Sequence, residues 1–350
     1  MSECGGRDWC DIVGMPGVGR SSPFEETPVP SAAHVDRRHG PGPGGDPSAS
    51  GTGEPKPVVP SGRPWQTAAM TGDPGLFTPR SVTWQMHDDP MMWVAGIRAL
   101  YLQALHPRAV RGVTQNSDFR RDAWGRLMRT AEFVGTTAYG TAEAAEKAGA
   151  RVRRIHRKLS ATDPETGERY GVDEPALLLW VHCAEIDSYL HVLRRSGYPL
   201  TDAAADRYLA EHRVSARLVG LDPESVPADR AQMAAYFDRT LPELAAGAEA
   251  REVDDFLRRP PVHPLLVPAR AVLWRRVADL AYASLPPYAH ALYGRPAPEP
   301  DVVTRRLRAT GAALRCVPAR LRWLLPPKHV LRAMARLGPE SRPAPYKVRR

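Results

Sequence analysis

The side chains able to do chemistry in this chain are histidines and arginines set among apolar helical residues. In A-R-V-R-R-I-H-R-K-L-S, His156 stands between Ile155 and Leu159. An imidazole so placed is either a satisfied core or surface group or, if one ring nitrogen is free, a ligand for a metal or a haem iron. His182, in L-L-L-W-V-H-C-A-E-I-D-S-Y-L, has more apolar neighbours, and Glu185 follows one helical turn later. That carboxylate is placed to fix an imidazole tautomer, and a plain buried polar pair is the alternative. Arg126 and Thr130 are four residues apart, so they share a helix face, with Arg129 beside them. A guanidinium and a hydroxyl on an apolar face are costly when unpaired. The spacing therefore calls for a carboxylate partner, Asp118 or Asp122, or for a bound anionic or polar ligand. Ser117 and Asp118 also read as caps for the helix that follows.

Other chemistries lack their signatures. His182 and Glu185 make an H-x-x-E, whereas a di-iron bundle needs two E-x-x-H motifs on different helices. No P-loop, no H-E-x-x-H and no dinucleotide fingerprint after a strand is present. No serine or cysteine sits in a nucleophile elbow. Cys4, Cys10, Cys183 and Cys316 form no C-x-x-C pair, which fits a reducing compartment and no cysteine zinc site.

These residues must be positioned by helices, because no segment alternates with the two-residue period that a sheet requires. Asp88-Asp89-Pro90 opens an apolar run, Met91 to Leu105, that Pro107 weakens or ends. Further helices are expected at Trp124 to Tyr139, from Thr141 to about Ser160, from Pro175 to Arg195, and at Thr201 to Val219. Others are expected at Pro227 to Glu243, Ala250 to Arg258, Pro268 to Ser284, Pro286 to Tyr293 and Val302 to Arg315. The fold class is all-α, a single multi-helix, bundle-like domain without internal repeats. The 36 Pro and 28 Gly gather at the ends, so residues 1–74 read as a disordered leader that buries too little apolar area to offset its ordering entropy. Residues 75–296 read as the helical domain that carries the candidate site, with Trp84 as an anchor of its lead-in, and 297–350 as an Arg- and Pro-rich helical extension that covers it loosely.

The formal charge of +9 comes almost wholly from Arg, since Lys occurs only at Lys56, Lys147, Lys158, Lys328 and Lys347. Arg is spread over every expected helix and gathers on no stripe, which argues against nucleic-acid binding. The first residues show no basic segment followed by an apolar one, and Met91 to Leu105, interrupted by Arg98, is too short to span a bilayer. A cytoplasmic location is the expectation. The segment C-V-P-A-R-L-R-W-L-L-P-P-K-H-V-L-R-A-M-A-R-L-G mixes basic and apolar residues, as an interfacial helix in weak contact with a membrane surface would.

Five ordered blocks carry a resemblance. They are I-R-A-L-Y-L-Q-A-L-H-P-R-A-V-R-G-V, S-D-F-R-R-D-A-W-G-R-L-M-R-T-A-E-F-V-G-T-T-A-Y-G, A-R-V-R-R-I-H-R-K-L-S, D-E-P-A-L-L-L-W-V-H-C-A-E-I-D-S and the G-L-D-P-E of the next segment. Together, over roughly Gly96 to Phe256, they resemble the catalytic domain shared by latex-clearing rubber oxygenases and MpaB-type oxygenases. The resemblance implies a helical domain holding haem b through a histidine. It also implies dioxygen as co-substrate and an apolar substrate, isoprenoid in the rubber-cleaving members. The family's R-x-x-[KR]-T falls on Arg126, Arg129 and Thr130, and its axial histidine falls on His156. His106 and His182 recur in the family pattern, as a second ligand or a structural partner. Met128, Phe133, Trp180 and Tyr189 are candidates for the apolar pocket. Two departures stand out: Asn116 replaces the histidine of the family's H-S-D-F, and no glutamate base lies between His106 and Arg126. A non-catalytic haem or lipid carrier is therefore the alternative function.

Overall fold

The structure, a computed structural model, describes residues 72–117, 123–260, 274–324 and 328–349, all within a compact unit that spans Ala69–Arg350. Residues 1–71 of the expected leader and the carboxylates Asp118 and Asp122 lie outside the described residues, whereas Asp73, expected within the leader, accepts from the Ala142 N–H at 2.8 Å and so belongs to the fold.

Two segments that are apolar nearly all round build the centre. Helix α2 (Met92–Gln103) buries Val94, Ile97, Tyr101 and Leu102, and the 21-residue α6 (Pro175–Arg195) buries Trp180, Ile186, Val192 and Leu193. These two pack along each other more extensively than any other pair of described elements. Burying a large apolar side chain stabilises by about 1.5–3 kcal/mol, so this seam dominates the core. Helix α6 is the one described helix long and apolar enough to cross a membrane, yet two-thirds of it is buried inside the fold. Arg98 interrupts the apolar surface of α2, and its guanidinium meets Asp187 at 3.0 Å, Ser188 Oγ at 2.7 Å and the Ser284 carbonyl at 3.2 Å.

Around the centre lie α1 (Val82–Met86), α3 (Pro107–Asn116), α4 (Ala123–Tyr139), α5 (Ala142–His156) and α7 (Asp202–Val219). After α7 come α8 (Arg230–Thr240), α9 (Ala248–Arg258), α10 (Arg275–Ala283) and α11 (Pro287–Tyr293). Helix α2 ends at Gln103, ahead of Pro107, which opens α3, where its missing N–H costs nothing. Ser81, Thr141 and Thr201 each accept a hydrogen bond from an N–H in the first turn of α1, α5 and α7. Helix α7 closes on Gly220, which adopts the left-handed conformation (φ 103°) that ends a helix without strain when no Cβ is present.

The all-α reading holds, with one small addition. Ser160–Thr162 (β1) pairs antiparallel with Arg169–Gly171 (β2), and α5 stops at His156, short of the helix expected to reach about Ser160. Strands of three residues are too short to show a period. Contacts from elsewhere fix the hairpin: Tyr170 Oη donates to the Arg108 carbonyl at 2.8 Å, and Arg111 pairs with Asp163 at 2.8 Å.

The C-terminal stretch, expected to lie loosely, is built into the fold. Helix α12 (Pro300–Cys316) places Val303 and Leu307 in the main core, and its Arg315 pairs with buried Asp89 at 2.7 Å. Helices α13 (Ala319–Trp323) and α14 (His329–Leu337) form a second apolar cluster with Trp84, Ala138 and Tyr139. Trp84 Nε1 donates to the Ser341 carbonyl at 2.7 Å, so the anchor binds the end of the chain. Gly135 permits α14 to approach α4, since a Cβ there would lie 2.1 Å from the His329 ring. Trp323 faces inward while Val317, Leu321 and Leu324 are exposed.

Candidate active site

A cavity opens where α1, α4, α5, α6 and α7 converge. On α6, Leu178, His182, Glu185 and Tyr189 recur at spacings of four, three and four, so one stripe faces the space. Helix α4 contributes Phe133, Val134, Thr137 and Ala138, and α7 contributes His212, Ser215 and Val219. His87, at the C-terminal end of α1, and His156, the last residue of α5, complete the imidazoles. The enclosed room is about 90 Å³, within about 610 Å³ of atom-free space that continues to solvent.

Four histidines thus share one apolar cavity, and each has a buried ring nitrogen without a hydrogen-bond partner among the described residues: His87 Nδ1, His156 Nδ1, His182 Nε2 and His212 Nε2. Burial disfavours the imidazolium, which lowers His87 to about 3 and His182 to about 4 and holds His212 well below its usual range. His156 is also lowered by burial, with Asp173 opposing. Neutral imidazole is the form that binds metals and accepts hydrogen bonds. Among the described residues, no three His, Cys, Asp or Glu side chains are arranged to hold a metal ion.

Glu185 is the one carboxyl on the wall. It does not orient His182 as the sequence suggested; its Oε1 accepts the Tyr189 hydroxyl at 2.6 Å, and no hydrogen bond to His182 is present among the described residues. Burial raises the Glu185 carboxyl above its ordinary range, and the Tyr189 hydrogen bond partly opposes this. Tyr189→Phe should therefore push that carboxyl further up and destabilise the fold by about 1–3 kcal/mol, because a buried acceptor loses its donor. Urea unfolding at pH 7 checks this, and a midpoint equal to wild type contradicts it.

The other expected site residues divide. Phe133, Tyr189, His156 and His182 line the cavity. Arg126, Arg129, Thr130 and Met128 do not: Arg126 lies seven residues before Phe133 on the same helix, about 10 Å along its axis at 1.5 Å per residue. Arg126 Nη1 donates to Ser117 Oγ at 2.5 Å, and burial together with the Arg129 charge lowers it to about 10. Thr130 is exposed, and its hydroxyl donates back to the Arg126 carbonyl at 3.2 Å. Its proton therefore serves its own helix and no pocket. Trp180 is a core residue whose Nε1 donates to the Gln103 carbonyl at 3.1 Å. His106 packs by Trp180, 3.6 Å from Glu243, and is not part of the wall.

His87 and His212 were missed. The signal in the sequence was Tyr208 and His212, four apart on the α7 face that also carries Ala205, Leu209 and Ala216. Two polar rings on a buried stripe need partners, and His87 Nε2 meets Tyr208 Oη at 3.1 Å.

Every lining residue except Phe77 falls within a single match: residues 84–316 fit the family described as ER-bound oxygenase mpaB/B'/Rubber oxygenase, catalytic domain. The chain belongs to this family. No curated protein and no solved structure matches it. The match begins at Trp84 and ends at Cys316, so it takes in α12 and stops before α13 and α14.

Proposed function

We propose that the chain is a haem b-dependent oxygenase that acts with dioxygen on an apolar substrate in this cavity. The observation that carries the reading is His156: an imidazole that lines an apolar cavity in an oxygenase-family domain and has a buried ring nitrogen without a hydrogen-bond partner among the described residues. That donor fits an axial haem ligand. Room sets a condition, because small-molecule sites commonly measure about 300–1,000 Å³ and the enclosed part here is about 90 Å³. The cofactor's place must then include the space continuing to the mouth, and its uptake must displace wall side chains.

When bound, haem would supply the activation of dioxygen. His156 would hold it, and burial keeps the imidazole free of a competing proton. Phe133, Val134, Leu178 and Ile186 exclude water and receive the hydrocarbon part of the substrate. Glu185 is the group able to hold a proton on this wall, since its carboxyl is raised by burial and bound by Tyr189. Arg126 and Arg129 would act from the N-terminal part of α4, outside the lining.

The absence of Arg126 and Thr130 from the lining favours one second reading, a carrier that binds haem or lipid without turnover. Dioxygen consumption by the haem-loaded protein, offered small alkenes, separates the two. Alkene-dependent uptake that is at least ten-fold lower in His156→Ala supports the oxygenase. Haem loading without any alkene-dependent uptake supports the carrier.

A further inference from the structure

His87 and His212 form a polar patch that the haem reading does not use. Their rings stack at 5.3 Å between centroids and 21° between planes, and both residues line the cavity. His212 is 4% exposed. Its Nδ1 lies 2.9 Å from Ser215 Oγ, while Ser215 Oγ donates to the His212 carbonyl at 2.8 Å. A serine has one proton, and a carbonyl can only accept. The Ser215 proton is therefore committed, and Nδ1–H of His212 must be the donor to Ser215. In a neutral imidazole this leaves Nε2 as a bare acceptor, and Nε2 is the buried nitrogen without a partner among the described residues.

The same bookkeeping assigns His87. Its Nε2 meets the Tyr208 hydroxyl at 3.1 Å, the one hydrogen-bond partner of that buried phenol among the described residues. The phenol proton is used only if Tyr208 donates to Nε2, and the ring proton of His87 is then on Nδ1. Nδ1 is buried and has no hydrogen-bond partner among the described residues. The stacked pair thus carries one uncommitted donor, His87 Nδ1–H, and one uncommitted acceptor, His212 Nε2. A hydroxyl group both donates and accepts, so it satisfies both. A hydrocarbon leaves both bare, and an unsatisfied buried polar group is costly. A carboxylate can accept from His87 but gives His212 nothing, and it meets Glu185 on the same wall.

We propose that the cavity recognises an apolar alcohol: His87 and His212 hold the hydroxyl, and the wall of Phe133, Val134, Leu178 and Ile186 holds the hydrocarbon. The proposal deepens the oxygenase reading by naming its substrate class and rests on it for the reaction, though not for the binding.

Calorimetric titration of the purified full-length chain with a five-carbon allylic alcohol, 3-methylbut-2-en-1-ol, and with its methyl ether tests the proposal. The ether keeps the skeleton and the acceptor but lacks the donor. The alcohol should bind wild type at least ten-fold more tightly than the ether, because a site built to hydrogen-bond a hydroxyl rejects the analogue without it. His212→Phe should bring the two within about two-fold, and His87→Phe serves as the second variant if that protein does not fold. Equal binding of alcohol and ether by wild type, binding of neither, or a preference that survives in both folded variants overturns the proposal. Recording the haem spectrum of the same samples separates the two failures. Alcohol preference without haem uptake removes the cofactor reading alone, and haem uptake without alcohol preference removes this proposal alone.

Discussion

Lowering the pH from 7 to 5 should destabilise the folded domain by roughly 4 kcal/mol, a large part of the total stability of a typical domain. The cause is the burial of neutral imidazoles. His87, His182, His191 and His212 are all held below the ordinary imidazole value of 6.5, by desolvation in the first place. A base whose folded value is depressed contributes stability that is fully present above its unfolded value. That stability is lost as pH falls, because the unfolded chain takes up protons that the folded chain refuses. For His182, with a folded value of about 4, the loss between pH 7 and 5 is about 2 kcal/mol at about 1.4 kcal/mol per unit. Four such groups would cost more than the net figure. Asp88 works the other way, since burial raises its carboxyl to about 7 and it gains stability over the same interval. Glu185 adds a smaller gain of the same sign. Urea unfolding at pH 7, 6 and 5 should show a falling midpoint, with a shallower fall for His182→Phe. A midpoint that is flat or rises toward pH 5 contradicts this account of the cavity.

Arg98→Met should cost about 3–5 kcal/mol at pH 7. The guanidinium is 2% exposed and is held by Asp187, Ser188 Oγ and the Ser284 carbonyl, so one side chain joins α2, α6 and the end of α10. Most of the cost comes from the partners left behind: a carboxylate losing its cation, a hydroxyl and a carbonyl losing a donor. Asp187 is 28% exposed, so water recovers part of its solvation and the loss should fall toward the lower end of the range. Combining Arg98→Met with Asp187→Asn should restore part of the stability, because the uncompensated charge is then gone. Chemical denaturation of the single and double variants measures this. A single-variant loss below about 1 kcal/mol would show that the ion pair is dispensable.

Much of the helical frame was legible because its signals are local. Pro175 opens α6, Thr201 caps α7 and Gly220 ends it, and each acts within its own turn. The hairpin was not legible, since its strands are held by Tyr170 on the Arg108 carbonyl and by Asp163 on Arg111 rather than by pattern. The C-terminal stretch misled for a similar reason: its Arg and Pro content suggests a loose cover, but Arg315 finds Asp89 and Ser341 finds Trp84 across more than two hundred residues. In the cavity, His156 and His182 were legible as single imidazoles. Their company was not, because His87 and His212 come from helices far apart in the chain and meet only when α1 packs on α7. Arg126 illustrates the limit of carrying a motif onto a helix: its place in the chain was clear, and the rise from Arg126 to Phe133 puts it away from the lining.

A haem titration followed by absorbance tests the central claim most directly, with wild type, His156→Ala and His106→Ala compared. A Soret band that saturates at one equivalent in wild type and in His106→Ala, and is shifted or lost in His156→Ala, is the predicted result. No saturable band in wild type, or an identical spectrum for His156→Ala, would contradict it.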